Sequence, residues 1–95
     1  MSPAYRPGAD VAVSQSGDGA AVYVAHLPAG PILVLEGAGA VIWWEATEGP
    51  AEGWITRVAE TFDEPVVGIA ADVLAFVRML RSRDLLDEAE STPET

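Results

Sequence analysis

The chain has 95 residues, 49% of them apolar and three of them Trp, which describes one folded domain with a real core and a thin stability margin. It contains no Cys, and that excludes disulfides, thiolate chemistry and Cys-held zinc or iron–sulfur sites. Fifteen acidic residues against five Arg give a net charge of −10; this repels a phosphate backbone and argues against nucleic-acid binding as the main activity, while it either favours a basic partner or only keeps a small protein in solution.

Residues 1–10 contain Pro and Gly and read as a flexible N-terminal tail. Met1 to Arg6 lacks the apolar stretch of a signal peptide, and the apolar runs of the chain are too short to span a bilayer, so no membrane role is expected and the expected location is cytoplasmic. Val11-Ala12-Val13 reads as a weak strand, and Ser16-Gly17-Asp18-Gly19 as a hairpin turn. Ala21 to His26 alternates as a strand, with Val22, Val24 and His26 on one face and Tyr23 on the other. A second turn, Pro28-Ala29-Gly30-Pro31, leads into a third strand, Ile32-Leu33-Val34-Leu35.

From Gly37 the pattern becomes helical. The first helix runs to Thr47, with Ala38, Val41, Ile42 and Glu45 sharing a face and Trp43 and Trp44 beside it. Gly49-Pro50 breaks it, and Pro50 suits the first position of a second helix. There Trp54, Ile55, Val58, Ala59 and Phe62 form an amphipathic stripe. Asp63-Glu64-Pro65 ends that helix and opens the third, placing a carboxylate near its N-terminus and Pro in its first turn. The third helix extends to Arg83 on a core stripe of Ile69, Val73, Phe76, Val77 and Leu80. The domain is expected over residues 11–87, and residues 88–95 read as a disordered acidic tail.

The predicted fold is α+β, a three-stranded antiparallel sheet followed by three helices, winged-helix-like. Short connections favour a meander, which leaves the third strand at an edge. Soluble proteins usually blunt an edge with Lys, Pro or a bulge; here only Pro31 precedes the strand and no charge interrupts it. Such an edge is either covered by its own chain or kept free to add a strand from another peptide. The third helix, packed across the sheet, leaves a groove beside that strand. Asp72, Phe76 and Met79 lie on one shoulder of the helix, Leu74 and Arg81 on the other. The first shoulder is the preferred groove wall, because Phe76 and Met79 are apolar and adaptable.

Candidate chemistry is sparse. Gly37 and Gly39 fit the first two glycines of a phosphate-binding turn, but Ile42 stands at the third position and no second parallel strand follows; they read as shaping a strand-to-helix corner. His26 is the single histidine, and its spacing from Ser14 and Ser16 supports no triad. Asp63-Glu64 and Asp87-Glu88 read as a cap and a solvated tail rather than metal ligands. No catalytic residue, metal site or cofactor is predicted. Trp54 belongs to the core, whereas Trp43 and Trp44 point about 100° apart on a helix, so one is half-exposed, as a contact surface or merely a partly covered indole. Arg78, Arg81 and Arg83 either hold a carboxylate or phosphate or, the favoured reading, pair locally with Asp84, Asp87 and Glu88.

Three local motifs, in this order, resemble the PqqD-like family, also called the RiPP recognition element, whose members bind ribosomally made precursor peptides. The first is a short strand leading into a small-residue helix that ends in Ile-Trp, here Leu33 to Trp43. The second is a middle helix after a Gly, Gly49 through Phe62. The third is a last helix with Asp-Val and Leu/Phe-rich turns, Ala71 to Leu80, with Leu85-Leu86 beyond. The likeness covers about residues 11–87. Glu36-Gly37 stands where the family has a Leu-Asn-like step, Asp84 where Gly is common, and Trp44 is an additional indole. The resemblance implies a non-catalytic adaptor that takes the leader segment of the precursor as an extra strand and delivers it to modifying enzymes. Carried onto this chain, the peptide-binding positions are Ile32, Leu33, Val34 and Leu35 on the strand and Asp72, Phe76 and Met79 on the helix. Members of this size resemble the recognition subunits of lasso-peptide clusters, where a separate leader peptidase and cyclase act, and the acidity fits a basic leader. Two rivals remain: a winged-helix DNA-binding regulator, disfavoured by charge, and a structural dimerisation module pairing two edges across a symmetry axis.

Overall fold

The computed structural model describes residues 3–28 and 30–89. Its elements are β1 (Tyr5–Pro7), β2 (Val11–Gln15), β3 (Ala21–His26), β4 (Ile32–Glu36), α1 (Ala38–Glu48), α2 (Trp54–Thr61), α3 (Val66–Ser82) and β5 (Leu86–Glu88). The strands β2, β3 and β4 form the predicted antiparallel meander in that spatial order. Alternation sets its two faces. Val22 pairs with Leu35 and Val24 with Leu33 on the inner face; Tyr23 pairs with Val34 and Ala25 with Ile32 on the outer. The turn before β3 is closed by Asp18, which accepts from Ser16 Oγ at 2.6 Å and from the Ala20 amide at 3.0 Å; these bonds, Ser16 first, hold its carboxyl below the usual aspartate range.

The tail assignments need correction. Residues 5–7, read as a flexible tail, form β1, which pairs antiparallel with β5, and Glu88, assigned to the disordered tail, lies in that pairing. Tyr5 packs edge-on against Trp54, ring centroids 6.0 Å apart at 83°. Strands of three residues carry no readable alternation, and this pairing joins segments far apart in sequence, so local pattern does not disclose it. Residues 90–95 of the expected acidic tail lie outside the described residues.

The inner sheet face is covered by α1 and α3 together, not by α3 alone: Val22, Val24 and Leu35 share one buried cluster with Trp43, Val77 and Leu80. The buried side of α1 is Ala40, Ile42, Trp43, Ala46 and Thr47, not the Ala38–Val41–Ile42–Glu45 face. This helix is apolar nearly all round, so periodicity selects no face, and the Trp43 indole decides it. The Thr47 hydroxyl donates to the Trp43 carbonyl at 2.8 Å, which satisfies the one polar side chain in that set.

The second helix begins at Trp54, four residues after the expected Pro50. Arg57 explains the delay. Its guanidinium donates to Glu45 Oε1 at 2.6 Å, to the Pro50 carbonyl at 2.6 Å and to the Glu52 carbonyl at 3.0 Å, so the Pro50 and Glu52 carbonyls turn toward a cation instead of into a helical ladder. The third helix has Pro65 as its N-cap, with no acidic residue in its first turn and no side-chain cap bond; the capping role expected of Asp63-Glu64 is not met. Among the described residues no helix is long and apolar enough to cross a membrane.

Candidate functional site: the open edge of β4

One flank of β4 is bonded to β3, and the other carries no strand among the described residues. Along β4, Leu33 and Leu35 turn inward, Leu35 to 4% exposure, while Ile32 at 67% and Val34 at 47% stand on the outer face. The edge therefore offers main-chain donors and acceptors at its flank and apolar side chains on both faces.

Two clefts lie at opposite ends of this strand. The smaller, about 320 Å³, is lined by His26, Pro31, Ile32, Leu33, Arg83 and Leu85. The larger, about 530 Å³, begins where β4 has ended, at Ala38 and Gly39, and is walled by Ile42, Val58, Phe62, Ile69, Val73 and Phe76 with the carboxylates Glu64 and Asp72. These linings fix how α3 runs. Its C-terminal end, at Arg83, meets the start of β4, and its middle, at Phe76, meets the end. Strand and helix are thus antiparallel and frame one groove.

The corner after β4 makes the second contact possible. Gly37 is the N-cap of α1 at φ 57°, a backbone conformation open to Gly at no steric cost. A Cβ on Gly39 would stand 3.1 Å from Phe76 Cζ and 3.6 Å from Leu35 Cβ, so the missing side chain is what lets the Phe76 ring sit over α1 beside Leu35. Both glycines serve the corner, as the sequence suggests.

Of the predicted helix positions, Asp72 and Phe76 line the larger cleft. Met79 is half-buried and packs on the core, lining neither cleft. The opposite shoulder faces away, since Leu74 and Arg81 border a different depression with Tyr5, Val77 and Arg78. Of the three terminal Arg only Arg83 stands apart: Arg78 and Arg81 border that same depression, with Arg81 3.7 Å from Glu88, and Arg83 lines the smaller cleft. Sequence reasoning missed Arg83, although residues 72, 76, 79 and 83 follow the i, i+4, i+7, i+11 spacing of a single helix face. It also missed Phe62, expected in the core but 40% exposed and a wall of the larger cleft. Trp43 is fully buried and Trp44 half-buried; Trp44 lines neither cleft. Among the described residues no basic face forms along the groove, because Arg57 is paired with Glu45 and Asp72 and Glu64 flank the larger cleft.

The comparisons agree with this architecture. The family model for coenzyme PQQ synthesis protein D (PqqD) matches residues 22–86. No curated protein matches the chain. Among solved structures, TbiB1 in complex with the TbiA(beta) leader peptide has the same fold, with a TM-score of 0.74 at 21% identity, covering 94% of this chain and 99% of that one.

Proposed function

The chain belongs to the PqqD family, and from that premise we propose that it is a leader-peptide-binding adaptor, which acts by binding rather than by catalysis. It takes up the leader segment of a ribosomally made precursor peptide as a fourth strand on β4. The observation that carries this reading is the unpaired flank of β4 set beside α3, with a cleft at each end. Main-chain bonds along Ile32, Leu33, Val34 and Leu35 supply affinity and register, and alternate leader side chains enter the groove toward Asp72, Phe76 and Met79. The fold is shared with a protein whose structure was solved with a leader peptide in place, which supports the choice of ligand. The acidity of the chain suits a leader with basic residues. The proposed recipients are separate enzymes such as a leader peptidase and cyclase, acting in the cytoplasm.

The test is titration of a basic leader peptide into the labelled protein, followed by backbone NMR. Shifts concentrated on residues 31–36 and on the Asp72–Met79 face are expected. Shifts spread evenly over the domain, or missing from 31–36, overturn the proposal. A stable dimer that ignores the peptide would point instead to edge-to-edge pairing of two copies.

A further inference from the structure

On that reading, we infer that the groove is polarised by charge, and that this polarity, on a strand whose direction the sheet sets, fixes the residues the added strand must carry. The preferred peptide runs antiparallel to β4 in the order basic, x, apolar, x, apolar, x, acidic, where x faces away from α3. It is not simply a basic segment.

The argument begins with the α3 face made by Asp72, Phe76, Met79 and Arg83. At 1.5 Å per residue this face is about 16 Å long. A strand beside β4 presents every second side chain inward. The inward positions of such a strand lie opposite Gly37, Leu35, Leu33 and Pro31, a span of roughly 20 Å at about 3.3 Å per residue. Strand and helix face are therefore of comparable length, with four inward positions against four helix residues.

The two ends differ in sign. Asp72 and Glu64 line the larger cleft, next to the corner after Leu35, and Glu36, on the outer face of β4 with Ile32 and Val34, adds only a nearby exposed carboxylate. Arg83 lines the smaller cleft with His26. Between them Leu33, Leu35, Phe76 and Met79 are apolar. Arg57 and Arg81 are taken by Glu45 and Glu88, whereas no described side chain forms an ion pair with Asp72, Glu64 or Arg83.

Direction follows from the sheet. Both existing pairings are antiparallel, and antiparallel pairing is slightly the more stable. Continuing it sets the N-terminal end of the peptide beside Glu36, Asp72 and Glu64, and its C-terminal end beside Arg83. A uniformly basic peptide gains at the first end and is repelled at the second.

Two capped peptides of identical composition test this: Lys-Thr-Leu-Thr-Leu-Thr-Glu and Glu-Thr-Leu-Thr-Leu-Thr-Lys, each between the same Gly-Ser flanks. At low ionic strength the Lys-first peptide binds about ten-fold tighter, since two partly exposed pairs change from attractive to repulsive in the other. The difference shrinks as salt is added. In the double variant Asp72→Arg/Arg83→Asp the preference is abolished, because Glu64 and Glu36 remain at the first end while the second turns negative; both positions are exposed, and circular dichroism checks the fold. Equal affinities with shifts on residues 31–36 overturn the polarity and leave strand addition standing. Tighter binding of the Glu-first peptide overturns the assigned direction. Binding of neither overturns the inference, and if the basic leader peptide is ignored as well, the adaptor reading falls with it.

Discussion

At the ends of α2 and α3 two aspartates adopt left-handed backbone, Asp63 at φ 54° and Asp84 at φ 60°. Each sits inside the pair of hydrogen bonds that closes a Schellman turn. The Leu85 amide donates to the Leu80 carbonyl at 3.0 Å and the Asp84 amide to Arg81 at 3.0 Å; the Glu64 amide donates to Ala59 at 2.9 Å and the Asp63 amide to Glu60 at 3.1 Å. A residue with a Cβ is strained in this conformation and glycine is not. Asp84 in addition places a negative charge just past the C-terminal end of α3, where the dipole disfavours it. Asp84→Gly is therefore expected to stabilise the fold by about 1 kcal/mol, raising Tm by about 5 °C in a domain of this size. Thermal unfolding followed by circular dichroism checks it, and an unchanged or lowered Tm refutes the strain. That Asp84 departs from the glycine the family resemblance implies here is an expectation from sequence; the left-handed backbone angle that would favour glycine is not legible there.

Among the elements, those that bury one face and expose the other were legible. The alternation in β3 sends Val22 and Val24 inward and Tyr23 outward, and the stripe of α3 brings Val73, Val77 and Leu80 to the core. Where the signal is even or absent, reading failed for physical reasons. The first helix is apolar on most sides, the start of α2 is set by the long-range grip of Arg57, and β1 and β5 are too short to show a pattern. The last pair matters for stability, because β1 carries Tyr5 onto Trp54. Removing that ring loses an aromatic pair and its buried area, so Tyr5→Ala is expected to cost about 2 kcal/mol and to lower Tm by roughly 10 °C. The exposed neighbour makes the control: Arg6→Ala should stay within about 0.5 kcal/mol of the parent. Equal effects at the two positions would mean that β1 is not held as described.

For the molecule as a whole, most of the candidate site is readable because it joins two strong local signals, a bare strand and a helical stripe; Arg83 is hidden because three Arg and three acids crowd the end of α3 in sequence and suggest local ion pairs in place of the face it extends. The edge itself has a consequence for how the protein behaves in a tube. β4 has no charged residue before Glu36 to keep another copy away, so copies are held apart by their net charge of −10. That protection acts at long range and depends on conditions. It weakens in concentrated salt and vanishes near the isoelectric point of about 4.1. Sedimentation should find a single small species in neutral, dilute buffer and growing aggregates as the solution is acidified or salted. Val34→Lys, placed on the edge, should suppress that growth, and aggregates that form as readily in this variant would locate the sticking surface elsewhere. A protein that leaves a berth open for a guest strand thus relies on its own colloidal repulsion to stop its twins from mooring there first.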